Sequence, residues 1–267
     1  MKPLESPAQA GAILSFDFDG TLYSPADHPP VTPRLFQTLE RLRREKGALW
    51  GINTGRSIGH VVEGLVDGHF PFTPDWVVAR EREIWFPTPA GRWTPFEKWN
   101  HTCEKEQHHF FKEIRGILQA IRHEVEEHTG ATWIEQPGDP AGLVARTEEE
   151  MAWIVERVKH HAAAEPMLGW QRNSIWLRFG HRKYQKGSSL AEVARHFKLT
   201  PARTFAIGDS HNDFEMLSPD AAAMFACPAN AVPEIREHVL SQGGHACLLT
   251  HSEGCVEALE HFFGTGH

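Results

Sequence analysis

The stretch AILSFDFDGTL, residues 12–22, decides the fold, because a short apolar run ends there at two aspartates and a glycine. An apolar run of this length, closed by Gly20, predicts a buried β-strand that ends in a tight turn. Asp17 and Asp19 are two residues apart, so their side chains can project toward the same side. Both carboxylates would ordinarily be charged at neutral pH, and crowding them requires a bound cation or a shared proton. The alternative is that they only cap the turn, as aspartate often does.

A second apolar run, residues 48–52, ends in the polar sequence NTGRS at 53–57. A hydroxyl group between the end of a strand and the N-terminus of a helix is well placed to hold a phosphate oxygen. Thr54 is therefore a candidate phosphate ligand. The alternative is a helix N-cap, which Thr54 or Ser57 could equally provide.

Two later segments add one cation and two carboxylates. Lys186 stands just ahead of a predicted helix, where its charge adds to the positive end of the helix dipole unless an anion lies nearby. The alternative is an exposed lysine that the dipole does not affect. Farther along, a buried strand over 204–207 leads to Gly-Asp at 208–209, and Asp213 follows four residues later. Mg²⁺ prefers oxygen ligands, so these carboxylates are candidate metal ligands.

The alternation of strands and helices up to residue 79 predicts parallel βαβ units, and hence a Rossmann-like, doubly wound α/β fold. From about residue 80 to 181 the pattern changes to the order ββαββαββ, with one long helix from roughly Glu104 to His128 and a hairpin around 137–140. We therefore predict a core of residues 1–79 and 182–267, with an inserted α+β cap domain over 80–181.

The composition excludes several classes of protein. Of the 267 residues, 40% are hydrophobic and 23% charged, which is typical of a globular chain, and the net charge of −8 argues against a nucleic-acid-binding surface. The four cysteines form no Cys-x-x-Cys pair, so we expect free thiols in a cytoplasmic protein. Residues 1–11 show no signal peptide, and no apolar stretch approaches membrane-spanning length. The eighteen histidines are scattered, and we expect them at the surface.

The sequence DFDGTL at 17–22 resembles the first motif of the haloacid dehalogenase superfamily, which consists mostly of phosphohydrolases with an aspartyl nucleophile. The other three motifs of that superfamily match, in order, Thr54, Lys186-Gly187 and GDSHND at 208–213. The forms GR at 55–56 and ANAVP at 229–233 resemble its sugar-phosphatase-like branch, the subclass IIB of Cof-type and sucrose-phosphatase-like enzymes. The resemblance covers most of the predicted core, and in the predicted cap it rests only on position, size and pattern.

The resemblance implies a role for each motif. Asp17 would attack phosphorus to give an aspartyl-phosphate, and Asp19 would protonate the leaving oxygen and then activate water. Thr54 and Lys186 would hold the developing negative charge. Phosphate or substrate contacts are implied for Gly20, Gly55, Arg56 and Asn212. Mg²⁺ would be held by Asp17, Asp19 through its backbone carbonyl, Asp209, and Asp213 directly or through water.

Together these expectations describe a Mg²⁺-dependent phosphatase that hydrolyses a small phosphorylated metabolite, a sugar or sugar-acid phosphate, as a cytoplasmic monomer or dimer. The cap would close over the site and exclude water. One alternative is a hexose phosphomutase of the same superfamily, and another is a catalytically silent binding protein on the same scaffold. Incubation with a sugar 1-phosphate separates the first two, because a phosphatase releases free phosphate and a mutase gives the 6-phosphate.

Overall fold

The computed structural model describes residues 1–136 and 139–265, which form two compact units. The first unit comprises Met1–Asn100, Lys186–Asp209 and Asp213–His267. The second comprises His101–Gln185 and Ser210–Asn212. The predicted hairpin turn at Pro137-Gly138 lies outside the described residues.

An eight-stranded sheet forms the centre of the first unit. Numbered along the whole chain, its strands are β1 (Ala12–Phe16), β2 (Ala48–Asn53), β3 (Trp76–Ala79), β4 (Glu83–Pro87), β5 (Trp93–Pro95), β10 (Thr204–Ile207), β11 (Met224–Cys227) and β12 (His245–Ala246). Their order across the sheet is β12-β11-β10-β1-β2-β3-β4-β5. The pairs from β12 to β3 are parallel, and β4 and β5 extend the sheet in antiparallel orientation.

Helices cover both faces of this sheet. They are α1 (Pro33–Lys46), α2 (Ile58–Asp67), α6 (Lys186–His196), α7 (Pro233–Ser241) and α8 (His251–Phe263), with short 3-10 turns at Pro201–Arg203 and His211–Asp213. Leu14 and Phe16 of β1 pack in one apolar cluster with α1, α2 and α8. Ile13, whose side chain points to the opposite face, packs in another with α6 and α7. A parallel sheet buried on both faces is the doubly wound α/β class that the sequence predicts.

Helix α1 shows how the local sequence sets its own ends. Thr32 is the N-cap residue and Pro33 occupies the first helical position, where its missing N–H costs nothing. Gly47 ends the helix in the left-handed region, with φ of 60°, a conformation that glycine adopts without strain. The local sequence therefore determines both ends of this helix.

The second unit has its own sheet and its own apolar core. Its strands are β6 (Thr132–Gln136), β7 (Asp139–Val144), β8 (Leu168–Asn173) and β9 (Trp176–His181), in the antiparallel order β6-β7-β9-β8. Its helices are α3, which begins in the first unit (Glu97–Glu113), α4 (Arg115–His128) and α5 (Glu148–Ala162). The long helix predicted over 104–128 is thus two helices, which meet at Ile114. Ile121, Ile154 and Leu177 are among the residues of a core built from α4, α5 and the strands.

The division between the units differs from the predicted boundaries at 79/80 and 181/182. Strands β4 and β5 pair with β3 and continue the main sheet, so the two strands expected to open the ββαββαββ insertion belong to the first unit. The turn between β3 and β4 contains Arg80 and Glu81, with φ of 48° and 65°. Left-handed turn positions usually hold glycine or asparagine, so this hairpin carried no turn signal in the sequence. Along the described ranges, no helix is both long enough and apolar enough to cross a membrane.

Candidate active site

The polar residues of the candidate site follow three neighbouring strands at one edge of the sheet. Phe16, the last residue of β1, is in register with Ile52 of β2 and Ile207 of β10. Because the three strands are parallel, the residues that come next in each segment meet at their carboxyl ends. The backbone N–H of Asp17 donates to the carbonyl of Ile207 at 2.9 Å, which attaches the first motif to the fourth.

Three carboxylates converge at this edge. One oxygen from each of Asp17, Asp209 and Asp213 lies within 4.8 Å of the others. Burial raises the pKa of Asp17 to about 7, and burial followed by the charge of Asp17 raises the pKa of Asp209 to about 7. Bringing three acids together in a buried place is unfavourable unless positive charge accompanies them. The all-oxygen donor set and this excess of buried acid fit a divalent cation such as Mg²⁺.

Lys186 supplies part of that positive charge. Its ammonium group is fully buried and donates to Asp17 Oδ1 and to Asp213 Oδ1, both at 2.6 Å. Burial alone would lower the pKa of Lys186, but the charges of Asp17 and Asp213 raise it above its usual value. The lysine therefore stays protonated. It occupies the first residue of α6, and these two carboxylates offset its unfavourable position at the positive end of the helix dipole.

Asp19, the predicted acid and base, makes a bidentate ion pair with Arg56. The guanidinium Nε and Nη2 donate to the two carboxylate oxygens at 2.8 and 2.6 Å. The guanidinium carbon also lies 4.8 Å from the centre of the Phe18 ring, a cation–π contact. In this structure, Arg56 thus contacts the predicted acid, whereas the resemblance implied a contact to phosphate.

Thr54 is buried immediately after β2, where its hydroxyl accepts a hydrogen bond from the N–H of Arg56 at 3.2 Å. Gly20 adopts φ of 79°, and a Cβ at this position would lie 2.6 Å from Asp209 Oδ2, so the close approach requires glycine. At Gly55 a Cβ would meet only Glu81 Oε1, at 3.5 Å, which is ordinary contact. Asn212 belongs to the second unit, and its predicted contact to phosphate stays a prediction.

Three polar residues that were not assigned from the sequence hold the site in place. The Thr21 hydroxyl donates to Asp209 Oδ1 at 2.7 Å. The side-chain amide of Asn53 donates to the carbonyl of Lys186 at 3.0 Å, and that of Asn230 donates to the carbonyl of Gly20 at 2.7 Å. Thr21 lies inside the DFDGTL stretch and Asn53 ends a buried strand, so both positions carried a local signal. Asn230 acts across more than two hundred residues, which no local pattern could show.

A sheet of this topology, with an acidic cluster and a buried lysine at its carboxyl edge, defines a class of hydrolase. The family model described as haloacid dehalogenase-like hydrolase matches residues 89–245, which is more than half of the chain. The chain therefore belongs to the haloacid dehalogenase-like hydrolase family. This confirms the resemblance inferred from the four motifs and the prediction of an enzyme that is a hydrolase.

Solved structures with similar folds span nearly the whole chain. Sucrose-phosphatase from Synechocystis sp. PCC6803, solved with sucrose and phosphate, has a TM-score of 0.73 at 19% identity and covers 95% of this chain and 98% of its own. A haloacid dehalogenase subclass IIB sugar phosphatase has a TM-score of 0.62 at 17% identity, covering 95% of this chain and all of its own. At these identities the similarity shows the fold alone.

A curated relative matches over a shorter stretch. Phosphoglycolate phosphatase from Methanothermobacter thermautotrophicus is 37% identical over 79 residues, which is 30% of this chain and 33% of that protein. The match thus spans about a third of the length of the relative.

Proposed function

We propose that this protein is a Mg²⁺-dependent phosphatase that hydrolyses a small phosphorylated metabolite, a sugar or sugar-acid phosphate, through an aspartyl-phosphate. The observation that carries the proposal is the contact of Asp17 with the fully buried Lys186, next to Asp209 and Asp213. A carboxylate nucleophile needs this setting, because positive charge must accompany it as it approaches an anionic phosphate.

The reaction divides between two aspartates. In the first step an oxygen of Asp17 bonds to phosphorus, the bond from phosphorus to the leaving oxygen breaks, and Asp19 gives its proton to that oxygen. In the second step the Asp19 carboxylate takes a proton from water, whose oxygen bonds to phosphorus and releases Asp17 and inorganic phosphate. Each oxygen of Asp19 accepts one hydrogen bond from Arg56, which leaves each a second lone pair with which the carboxyl can carry a proton.

The remaining residues bind and orient the phosphoryl group. Lys186 keeps its ammonium charge beside Asp17 and offsets the negative charge that builds up on the phosphoryl oxygens. The hydroxyl of Thr54 lies at the end of the neighbouring strand, where it can donate to one of those oxygens. Asp17, Asp209 and Asp213 are the side chains that would hold Mg²⁺, and Asp19 would add its carbonyl. When bound, Mg²⁺ supplies Lewis-acid stabilisation of the anionic phosphate.

The choice of a sugar or sugar-acid phosphate is supported by the similar proteins. Two of the similar folds are a sucrose-phosphatase and a sugar phosphatase, and the curated relative is a phosphoglycolate phosphatase. We further propose that the inserted second unit is the cap that selects among these substrates. The cap boundaries are then His101–Gln185 in place of 80–181.

Phosphate release from a panel of phosphorylated sugars, sugar acids and nucleotides, measured with and without Mg²⁺, tests the proposal. We expect turnover of a sugar or sugar-acid phosphate that EDTA abolishes and Mg²⁺ restores, and a loss of turnover in Asp17→Asn. Conversion of a sugar 1-phosphate to its 6-phosphate without release of phosphate would show a phosphomutase instead. Full activity of Asp17→Asn would overturn the mechanism.

A further inference from the structure

A second group of metal-ligating side chains lies outside the carboxylate site. One ligand atom from each of His245, Cys247 and Glu257 lies within 4.8 Å of the others. Among the residues that the structure describes, this group and the three aspartates are the two that bring candidate ligand atoms so close. The phosphatase reaction uses none of the three residues.

The backbone places these side chains together. His245 begins β12 and Cys247 continues the same extended segment, since its N–H donates to the carbonyl of Cys227 on β11 at 2.9 Å. Residues two apart in extended chain point to the same side. Glu257 comes from α8, and it is already held, because its carboxylate accepts hydrogen bonds from the N–H groups of Leu248 and Leu249 at 3.0 and 2.9 Å.

The spacing between the imidazole of His245 and the carboxylate of Glu257 suits a small tetrahedral ion. Bonds of about 2.0–2.3 Å at tetrahedral angles leave the ligand atoms of a zinc site roughly 3.3–3.6 Å apart. His245 Nε2 and Glu257 Oε1 are 3.3 Å apart in this structure. The thiol of Cys247 is buried, while His245 and Glu257 are partly exposed, so an ion could enter from the solvent side.

We propose that His245, Cys247 and Glu257 bind Zn²⁺ with one position left for water, and that the ion fastens the edge strand β12 to α8. One imidazole, one thiolate and one carboxylate form a donor set suited to Zn²⁺, whereas Mg²⁺ requires oxygen ligands. The site therefore discriminates against the ion of the carboxylate cluster. Its ligands follow no recognised sequence motif, which is why the scattered histidines suggested no metal site.

Binding exchanges one proton. In this structure the Cys247 thiol donates a hydrogen bond to the carbonyl of Gly254 at 3.3 Å, and burial raises its pKa to about 12. On binding, the S–H bond breaks, a sulfur–zinc bond forms and the proton goes to solvent. His245 binds through an unprotonated ring nitrogen and Glu257 through its carboxylate. Affinity for the ion consequently falls as the pH is lowered.

A structural ion pair is the competing explanation. The His245 ring stacks on the ring of His261, with centroids 4.0 Å apart, and its contact with Glu257 could exist for packing alone. The two explanations differ at Cys247, because only a metal site uses its sulfur.

Titration of the reduced full-length protein with Co²⁺, in excess Mg²⁺ to occupy the carboxylate site, distinguishes them. We expect one equivalent of Co²⁺ to produce a thiolate-to-cobalt charge-transfer band that Zn²⁺ abolishes. Cys247→Ser should lack the band, whereas Cys103→Ser, which removes a buried thiol of the second unit, should retain it. Absence of the band in the unaltered protein, or its persistence in Cys247→Ser, would overturn the proposal.

A second measurement covers the case in which Cys247→Ser does not fold. Zn²⁺ should raise the Tm of the unaltered protein, and His245→Ala and Glu257→Gln should each lower the affinity for Zn²⁺ by at least roughly tenfold. A shift in Tm that is unchanged in both variants would place the zinc elsewhere and refute the site.

Discussion

Lys186 shows how much of the site depends on single buried charges. Its ammonium group is enclosed with Asp17 and Asp213, so removing the lysine leaves two buried carboxylates without the cation that they share. Losing one member of a buried ionic group generally costs more than losing an exposed pair. Substitutions here combine effects on catalysis with effects on folding, so informative variants lie at the margin of the cluster.

Asp19 is such a position, because its side chain is 43% exposed and its partner, Arg56, is itself partly exposed. We expect Asp19→Asn to fold normally and to lower kcat by about 10²–10⁴-fold, since the amide cannot exchange the proton with the leaving group and with water. Steady-state phosphate release checks this. Asp27→Asn, which alters an aspartate paired with His251, should retain full activity. Equal losses in the two variants would contradict the role of Asp19.

Gly20 tests the close approach between the first and fourth motifs. A Cβ there would lie 2.6 Å from Asp209 Oδ2, so Gly20→Ala should displace that carboxylate and raise the Mg²⁺ concentration needed for half-maximal activity. Gly243→Ala is the matched control, because Gly243 has φ of 82° but open space around it. Both variants should lose roughly 1–2 kcal/mol of unfolding free energy from backbone strain. Only Gly20→Ala should change the Mg²⁺ requirement. A change in both variants would show that the effect does not come from the contact between residue 20 and Asp209.

At the scale of elements, Asp75 ties α1 to the sheet. Its carboxylate accepts hydrogen bonds from the guanidinium of Arg43 on α1 and from the N–H of Trp50 on β2, and the two charged side chains are each 9% exposed. We expect Asp75→Ala to lower the free energy of unfolding by about 3–5 kcal/mol, because it leaves a buried guanidinium unpaired. Glu253→Ala, which removes an exposed pair with Arg34, should cost less than about 1 kcal/mol. Urea denaturation measures both, and similar losses would refute the argument from burial.

Helix α5 gives the second unit a dependence on pH. Glu150 accepts hydrogen bonds from the Arg146 side chain, from its backbone N–H and from that of Gly130, which lower the pKa of Glu150 from 4.5 to about 2. At Glu150 the unfolded chain therefore binds a proton more readily than the folded chain does. The contribution of Glu150 to the stability of the fold is present above about pH 4.5 and is lost as the pH falls toward 2.

The variant Glu150→Gln tests the direction of this pH dependence of stability. The difference in unfolding free energy between the unaltered protein and this variant should be constant above about pH 5 and should shrink between about pH 4.5 and 2. Glu156→Gln, at an exposed position of the same helix, is the matched control for the substitution itself. A difference that grows as the pH falls would contradict the assigned cause.

At the scale of the molecule, two fragments that follow the two alternative boundaries of the second unit should differ in their ability to fold alone. Residues 101–185 contain the second sheet and the apolar core that includes Ile121, Ile154 and Leu177. We expect this fragment to unfold cooperatively, as followed by circular dichroism. The fragment 80–181 also carries β4 and β5 without the sheet they extend, and it exposes Ile84, which is fully buried in the chain. It should aggregate, and a well-folded 80–181 fragment beside an unfolded 101–185 fragment would refute the observed boundary.

Much of the first unit could be predicted because its signals are local. Strand β1 and the caps of α1 follow from apolar runs, Pro33 and Gly47. Three of the four motifs stand at strand ends that a parallel sheet must bring together, and the lysine motif stands at the start of a helix. The boundary could not be predicted, because the turn at Arg80 and Glu81 uses positive φ without glycine.

The side-chain partners inside the site were equally beyond prediction. The pairing of Arg56 with Asp19 joins residues 37 positions apart and depends on the orientation of both side chains. The break between α3 and α4 at Ile114 did carry a local signal, because Gly116 follows two residues later and glycine is a poor helix former. The interaction between Arg56 and Asp19, by contrast, is tertiary and leaves no trace in the spacing of the sequence.

The position of β1 between β2 and β10 has a consequence for the newly made chain. β2 emerges from the ribosome soon after β1, whereas β10, which covers the other edge of β1, is translated about 190 residues later. At about 5–20 residues per second, that edge stays open for roughly 10–40 s. For that interval, a nascent chain carrying an apolar, unpaired edge is a natural client for a cotranslational chaperone.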